Sequence, residues 1–181
     1  MAGLSNTYEV TKEHSSSQFD FVFISTGRIV VSKIIQYTLT HQFENRDVYN
    51  LGFGDYNART DQIEDHVNTG NGDAYKVFNT VLSTVPLFFK TFDEAIIMVQ
   101  GSDGGADFIE ECQKTCIKKC INICRKFRQR VTIYRNFVEK NFSELSYNYW
   151  LLGGYISNGM DLMTERYIPG RDYDTILIFK K

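Results

Sequence analysis

Features that divide a chain into domains or place it in a membrane are scarce in this sequence. Only two prolines, Pro86 and Pro169, interrupt its 181 residues, and it contains no Ser/Gly linker, low-complexity tract or repeat of solenoid length. No apolar run approaches the ~20 residues that span a bilayer. The N-terminus lacks the basic start and continuous apolar core of a secretory signal. We therefore expect a single cytosolic domain over residues 1–181, without a membrane span and with about the first seven residues flexible.

Two common catalytic motifs and a strong excess of one charge are also missing. The formal net charge is −2 and the pI about 5.9, which excludes a polycation that binds nucleic acid over its whole surface. Neither a Walker phosphate loop nor a G-x-S-x-G nucleophile elbow occurs. The three histidines, His14, His41 and His66, match no metal-ligand spacing. The protein is therefore not identified as an enzyme, and we lean towards a non-enzymatic one.

The residues that are present predict a sequence of strands and helices. Runs rich in Val, Ile, Tyr, Phe and Thr predict strands, and three- to four-residue apolar spacing predicts helices. Asp73 is the expected N-cap of the first helix, which Pro86 should kink or end. The predicted strands are 19–25, 28–38, 48–53, 95–99, 147–155 and 173–179, and a second helix is predicted from about Ala106 to about Asn141.

This order, about βββ-α-β-α-ββ, predicts an α+β fold. An antiparallel or mixed sheet with the two main helices packed on one face fits the order better than a doubly wound fold does. The 43% of residues that are apolar are enough to build one substantial core.

Several motifs occur in a characteristic order along the chain. They are YNLGFGDYN at 49–57, GNGDAYKVFNTV at 70–81, the pair Gly101-Ser102, RQRVTIYRNFVEKNF at 128–142 and the closing YDTILIFKK. This series resembles a family of small bacterial proteins, common in Bacteroidetes, that is known as a domain of unknown function. The resemblance covers about residues 8–180 and implies a single domain, but it implies no catalytic residue. This chain differs in having about 25 residues, with all four cysteines, between the Gly-Ser pair and the arginines.

The four cysteines repeat at every fourth position: Cys112, Cys116, Cys120 and Cys124. On a continuous helix they form one slowly winding stripe, whose ends lie ~18 Å apart at 1.5 Å per residue. Four thiolates on such a helix cannot share one ion, so zinc or another soft metal would need further ligands, a second subunit or a broken helix. Burial as small apolar residues is the first interpretation, and metal binding and redox or inter-subunit linkage are the alternatives.

The segment 114–130 carries the strongest local charge. It contains seven basic residues and no acidic one: Lys114, Lys118, Lys119, Arg125, Lys126, Arg128 and Arg130. On an amphipathic helix such a face could bind nucleic acid, an acidic protein or an anionic membrane surface, with Tyr134 and Arg135 adding stacking or a bidentate contact. The alternative interpretation is a solvated helix face that matches the helix dipole, and Tyr134 and Arg135 equally suit packing against the sheet.

Two G-x-G-D sequences place Asp55 and Asp73 beside predicted regular elements. If the fold brings them together, two aspartates could hold Mg²⁺ against a phosphate or divide acid and base roles. The alternative is that the glycines supply turns and the aspartates cap them. Gly101-Ser102 could also offer backbone N–H groups to an anion, but Asp103 and Asp107 would oppose it.

Three functions from different classes follow. The first is a binding or regulatory module whose basic helix engages an acidic protein partner or nucleic acid. The second is a metal-dependent enzyme that processes phosphodiesters or nucleotides, such as a toxin or phage-defence component, with Asp55 and Asp73 on the metal and Arg128, Arg130 and Tyr134 on the phosphate. The third is a thiol protein that uses the cysteine stripe for metal or redox chemistry. Neither a partner nor an oligomeric state follows from the sequence, and a homo-oligomer is left open.

Overall fold

The computed structural model of the chain consists of two compact units, residues 1–97 and 98–181. It describes residues 6–14, 18–57, 59–60, 62–64, 70–101, 103–104, 106–115, 120, 124, 127–157 and 161–181. In the described part, no helix is long and apolar enough to cross a membrane. The prediction of a single domain over residues 1–181 stays a prediction.

The first unit is an antiparallel meander covered by one helix. Its strands are β1 (Thr11–His14), β2 (Gln18–Thr26), β3 (Val30–Phe43), β4 (Arg46–Asn57) and β5 (Gln62–Glu64), each paired with the one before it. The β3–β4 hairpin turns at Glu44 and Asn45, both at positive φ (51° and 62°), as a tight two-residue hairpin requires.

Helix α1 (Ala74–Thr91) packs on this sheet through aromatic rings. Phe88 stacks on Tyr37 of β3, with ring centroids 4.5 Å apart, and meets Phe19 of β2 and Tyr49 of β4 edge to face at 5.8 and 5.1 Å. Burying each large apolar side chain contributes about 1.5–3 kcal/mol. The helix continues through Pro86, so the expected end there is wrong: the burial of Phe88 and Phe89 offsets the one backbone hydrogen bond that proline cannot donate.

Strand β6 (Ile96–Gln100) carries the chain from the first unit into the second. The second unit then contains α2 (Ala106–Thr115), α3 (Gln129–Lys140), α4 (Phe142–Asn148), β7 (Tyr149–Ser157), β8 (Asp161–Arg166) and β9 (Thr175–Lys180). Strand β7 pairs antiparallel with both β8 and β9. The Thr175 hydroxyl of β9 donates to the Val99 carbonyl of β6 over 3.1 Å.

Tyr173 fills the core of the second unit, together with the buried run Ile176, Leu177 and Ile178 of β9. Its ring lies against Gly153 so closely that a Cβ there would be 2.1 Å from the ring. The glycine is therefore required by the close approach of an aromatic ring rather than by its backbone angle.

The α+β prediction is confirmed, and the predicted strands occur with shifted bounds. The predicted continuous helix 106–141 is wrong. Helix α2 ends at Thr115, residues 120, 124, 127 and 128 are not helical, and Arg128 has the left-handed φ of 54° just before α3. The strand predicted from Tyr147 starts at Tyr149, because α4 takes the preceding residues. The short strands β1, β5 and β8 were not predicted.

Candidate functional site

The helix-covered face of the first unit carries a group of polar side chains that we call the Lys33 cluster: Tyr8, Ser25, Lys33, Asp55 and Asp73. Lys33 and Asp55 are directly opposite in the β3–β4 register, so alternation along the strands places both side chains on one face. The Lys33 ammonium is paired with Oδ1 of Asp55, and the two side chains are only 11% and 12% exposed. The Asp55 carboxylate is therefore neutralised by an ammonium in the interior.

Asp73 occupies the N-cap position of α1, but its side chain does not cap the helix. Its Oδ2 instead accepts hydrogen bonds from the Ser25 hydroxyl at 2.6 Å and the Tyr8 hydroxyl at 2.9 Å. Burial raises the pKa of Asp73, but the hydrogen bonds from Ser25 and Tyr8, with the charge of Lys33, lower that pKa by more. The pKa of Asp73 is thus below its usual range, so the carboxylate stays ionised at lower pH than usual. Both predicted aspartates lie close to one lysine.

The rest of the GNGD motif fixes this carboxylate to the β2–β3 turn. Gly70 and Gly72 have φ of 63° and 70°, a region that other residues rarely adopt. Between them, the Asn71 side chain bonds both backbone groups of Ile29, accepting from its N–H and donating to its carbonyl, each over 3.0 Å. The same amide donates to Ser25 Oγ over 3.0 Å. The motif therefore docks the start of α1 on the β2–β3 turn.

These contacts favour a structural role for the Lys33 cluster over a metal site. The paired-aspartate prediction invoked Mg²⁺ as the positive charge next to the two carboxylates. Lys33 already supplies a positive charge next to both of them. Ser25 and Asp73 are spaced like a nucleophile and its base, but Ser25 has no exposed surface for a substrate to reach. Within the described ranges, no group of three or more His, Cys, Asp or Glu side chains could hold a metal ion.

The basic segment 114–130 is described only in part. Lys118, Lys119, Arg125 and Lys126 lie outside the described residues, and Lys114 is exposed in the last turn of α2. Arg128 forms an ion pair with Asp174 at 2.8 Å and donates to the Tyr173 carbonyl at 3.1 Å. Arg128 therefore connects the start of α3 to the residues directly before β9.

Residues of α3 that were expected to bind phosphate also have partners within the unit. Arg135 is paired with Asp172 and lies 3.9 Å from a carboxylate oxygen of Glu139, one turn further along the helix. Tyr134 and Arg130 are half-buried on α3. These contacts favour the interpretation that α3 packs against its own unit.

Asp103 was expected to repel an anion bound at a helix N-terminus, but its own carboxylate is the anion there. Its Oδ2 accepts the backbone N–H of Arg130 at 2.7 Å, and its carbonyl accepts the N–H of Arg128 at 3.0 Å. Because Arg130 is in the first turn of α3, the carboxylate caps that helix from another part of the chain. The anion at a helix N-terminus is thus the protein's own Asp103, at the head of α3.

The break in the predicted Cys helix brings its two ends together. Cys112 of α2 and Cys124 are both buried, with their sulfur atoms 3.0 Å apart. Cys120 is half-buried, and Cys116 lies outside the described residues. The cysteines therefore do not form the straight stripe that a continuous helix would produce.

Sequence reasoning missed Lys33, Ser25 and Tyr8. A signal for Lys33 was available, because it is the one charged residue in the apolar run from Ile29 to Ile35 and a buried strand accepts a charge only with a partner. The partner itself depends on the β3–β4 register. For Ser25 and Tyr8, no sequence signal distinguishes them from other residues of their type.

Comparison with known proteins relates the first unit to a protein family. No match was found among curated proteins or among solved structures. A protein-family model matches residues 4–105, which include the whole Lys33 cluster and exclude the basic segment. Because the match covers more than half of the chain, the protein belongs to the family of unknown function DUF6934.

Proposed function

We propose that the protein is a non-enzymatic binding module of the cytosol, and that its basic segment 114–130 contacts a polyanion. The observation that supports this function is the density of charge: seven basic residues and no acidic one among these residues, in a chain of net charge −2. Polyanions bind such a segment mainly by releasing their counterions. A nucleic-acid backbone and an acidic protein surface both present the closely spaced negative charges of a polyanion.

The ion pairs of the second unit narrow the set of contacting residues. Arg128, just before α3, and Arg135, within it, are paired with carboxylates of Asp174 and Asp172, so their replacement would disturb packing as well as charge. We therefore assign the contact to Lys114, Lys118, Lys119, Arg125 and Lys126. Arg128 then acts as a positioning residue at the end of the segment.

Because the family model ends at residue 105, we propose this function for this chain and not for its family. The Lys33 cluster, in contrast, lies in the part that the family model covers. Its contacts are those of a structural support for the first unit, which is consistent with a binding module built on a common framework.

The test replaces Lys118, Lys119, Arg125 and Lys126 with glutamine. Binding to heparin, single-stranded RNA and a poly-glutamate peptide is measured by fluorescence anisotropy between low and physiological salt. If all four residues contact RNA phosphates, the slope of log affinity against log salt should fall in magnitude by about 3. A control variant replaces four exposed cations elsewhere, Arg28, Arg59, Lys90 and Lys180, and should keep the slope.

Each outcome has a distinct meaning. Loss of RNA and heparin binding together identifies a phosphate or sulfate polyanion, whereas loss confined to the peptide identifies an acidic protein partner. Equal binding by the wild type and the segment variant would remove the basic segment from the proposal.

A second candidate is a metal-dependent phosphodiesterase centred on Asp55 and Asp73. The observation in its favour is that both aspartates lie within the family-matched region, whereas the ammonium of Lys33 beside them counts against a metal ion there. Asp73→Asn is the appropriate variant, since Asp73 is only half-buried and the contacts described for its carboxylate are hydrogen bonds from Ser25 and Tyr8. Hydrolysis of RNA in the presence of Mg²⁺ should disappear in this variant while its circular dichroism is unchanged. Equal turnover by the variant would refute this candidate.

A further inference from the structure

We infer that Cys112 and Cys124 are a redox-active pair that forms a reversible disulfide. Their sulfur atoms are 3.0 Å apart, and the two residues are only 9% and 6% exposed. A disulfide requires a sulfur separation of about 2.05 Å. The bond therefore needs a movement of about 1 Å by the sulfur atoms, which side-chain rotation can supply.

The surrounding backbone permits this movement. Cys112 lies in the last turn of α2, where the chain leaves the helix after Thr115. Cys124 is in neither a helix nor a strand, and its carbonyl accepts the N–H of Phe127 in a turn at 2.9 Å. One of the two cysteines is thus free of the constraint that a regular element imposes on its backbone.

The separation of the two sulfur atoms favours a disulfide over a metal site. A structural zinc site takes four ligands, and at a Zn–S distance of about 2.3 Å tetrahedral geometry separates two thiolates by about 3.8 Å. The sulfur atoms of Cys112 and Cys124 lie closer together than two thiolates on one zinc ion would.

The chemistry balances with a peroxide as the oxidant. One thiolate attacks a peroxide oxygen, breaks the O–O bond and becomes a sulfenic acid, while the first water leaves. The second thiol then attacks the sulfenic sulfur, forms the S–S bond and releases the second water. The two sulfurs together lose two electrons and two protons, and hydrogen peroxide takes up both. A dithiol reductant reverses the reaction through thiol–disulfide exchange.

The disulfide would close a loop that contains much of the basic segment. Lys114, Lys118 and Lys119 lie between the two cysteines. Oxidation would therefore restrict the residues to which we assign polyanion binding. This effect rests on the proposed function, whereas formation of the disulfide does not.

The experiment uses the full chain with Cys116→Ser and Cys120→Ser, so that Cys112 and Cys124 are the only thiols. After treatment with hydrogen peroxide, the intact mass should fall by two hydrogens, and dithiothreitol should restore it. Trypsin should release peptide 91–114 linked to peptide 120–125. With glutathione disulfide as oxidant, at least about tenfold more internal disulfide than glutathione adduct should form, because the second thiol is already in place.

Adding Cys112→Ser or Cys124→Ser to this variant provides the control, and both should lose the linked peptides. A folded double variant that goes directly to sulfinic or sulfonic acid would overturn the inference. Binding of an added zinc ion to both thiols of the reduced wild type, detected by native mass spectrometry, would also overturn it.

Polyanion binding is then compared between the oxidised and reduced forms. A weaker salt dependence of the oxidised form supports the coupling of redox state to binding. If the disulfide forms but the wild type binds no polyanion in either state, the proposed function fails and the disulfide stands.

Discussion

Replacing either member of the buried Lys33–Asp55 ion pair should destabilise the first unit far more than the pair's own favourable energy suggests. Both side chains are about one tenth exposed, so the loss of one partner leaves the other charge in the interior without compensation. Such a loss costs about 3–5 kcal/mol. This is a large part of the ~5–15 kcal/mol by which domains are stable.

The two single variants should differ. Lys33→Met leaves the Asp55 carboxylate without its ammonium, and we expect a cost at the upper end of that range. Asp55→Val leaves an ammonium that still has the negative charge of Asp73 nearby, which lowers the cost. The double variant removes both charges and fills the site with apolar groups, so it should be more stable than either single variant. The resulting coupling energy should be about 3 kcal/mol.

Urea unfolding, followed by circular dichroism, measures all four free energies by linear extrapolation. The exposed pair of Arg46 and Glu94, 3.7 Å apart in the same unit, provides the control, and Glu94→Gln should change the midpoint little. Additive single effects, with a coupling energy below about 0.5 kcal/mol, would mean that water screens the pair. The account of the Lys33 cluster as a buried support would then be refuted.

Three further predictions follow from other contacts. Hydrogen bonds hold the folded-state pKa of Asp73 below its unfolded value. The stabilising contribution of Asp73 should therefore be complete above the unfolded pKa of about 3.9 and be lost as the pH falls through the lower folded value. The stabilities of wild type and Asp73→Asn, measured by unfolding across this pH range, check this prediction, and a constant difference would contradict it. Gly153→Ala should lower stability by about 1–3 kcal/mol, since the new methyl group collides with the buried ring of Tyr173. Gly104→Ala should not, because its Cβ would lie 3.8 Å from Cγ of Arg128. Asp103→Asn should cost about 1 kcal/mol in thermal unfolding by weakening the cap of α3, and an unchanged melting temperature would remove that role.

Local patterns predicted most of the regular elements. The β-branched and aromatic runs locate β2, β3 and β4, and the apolar spacing after Asp73 locates α1. The second helix was predicted too long because the periodicity of Cys and Ile residues continues through a region where the chain turns. A separate helix, α3, begins after the positive φ of Arg128 and is capped by the distant Asp103, and neither feature can be recognised in the local sequence.

The candidate site was predictable in its residue types but not in its pairing. The two G-x-G-D motifs identified Asp55 and Asp73, and the fold brings both next to Lys33. The identity of that partner follows from strand register, which a single sequence specifies only through the burial of whole faces. The expectation of exposed arginines at 128 and 135 did not anticipate Asp174 and Asp172, because these ion pairs join residues about 40 positions apart.

The docking of Asn71 on the β2–β3 turn has a consequence for the chemical ageing of the protein. An asparagine followed by glycine readily loses ammonia, because the glycine nitrogen can attack the side-chain carbonyl and close a succinimide ring. Here the side chain is restrained by its bonds to both backbone groups of Ile29 and to Ser25. The aspartate that forms after ring opening can only accept hydrogen bonds, so it would face the Ile29 carbonyl without a proton to offer. Deamidation at this position therefore records how often the start of α1 leaves the turn.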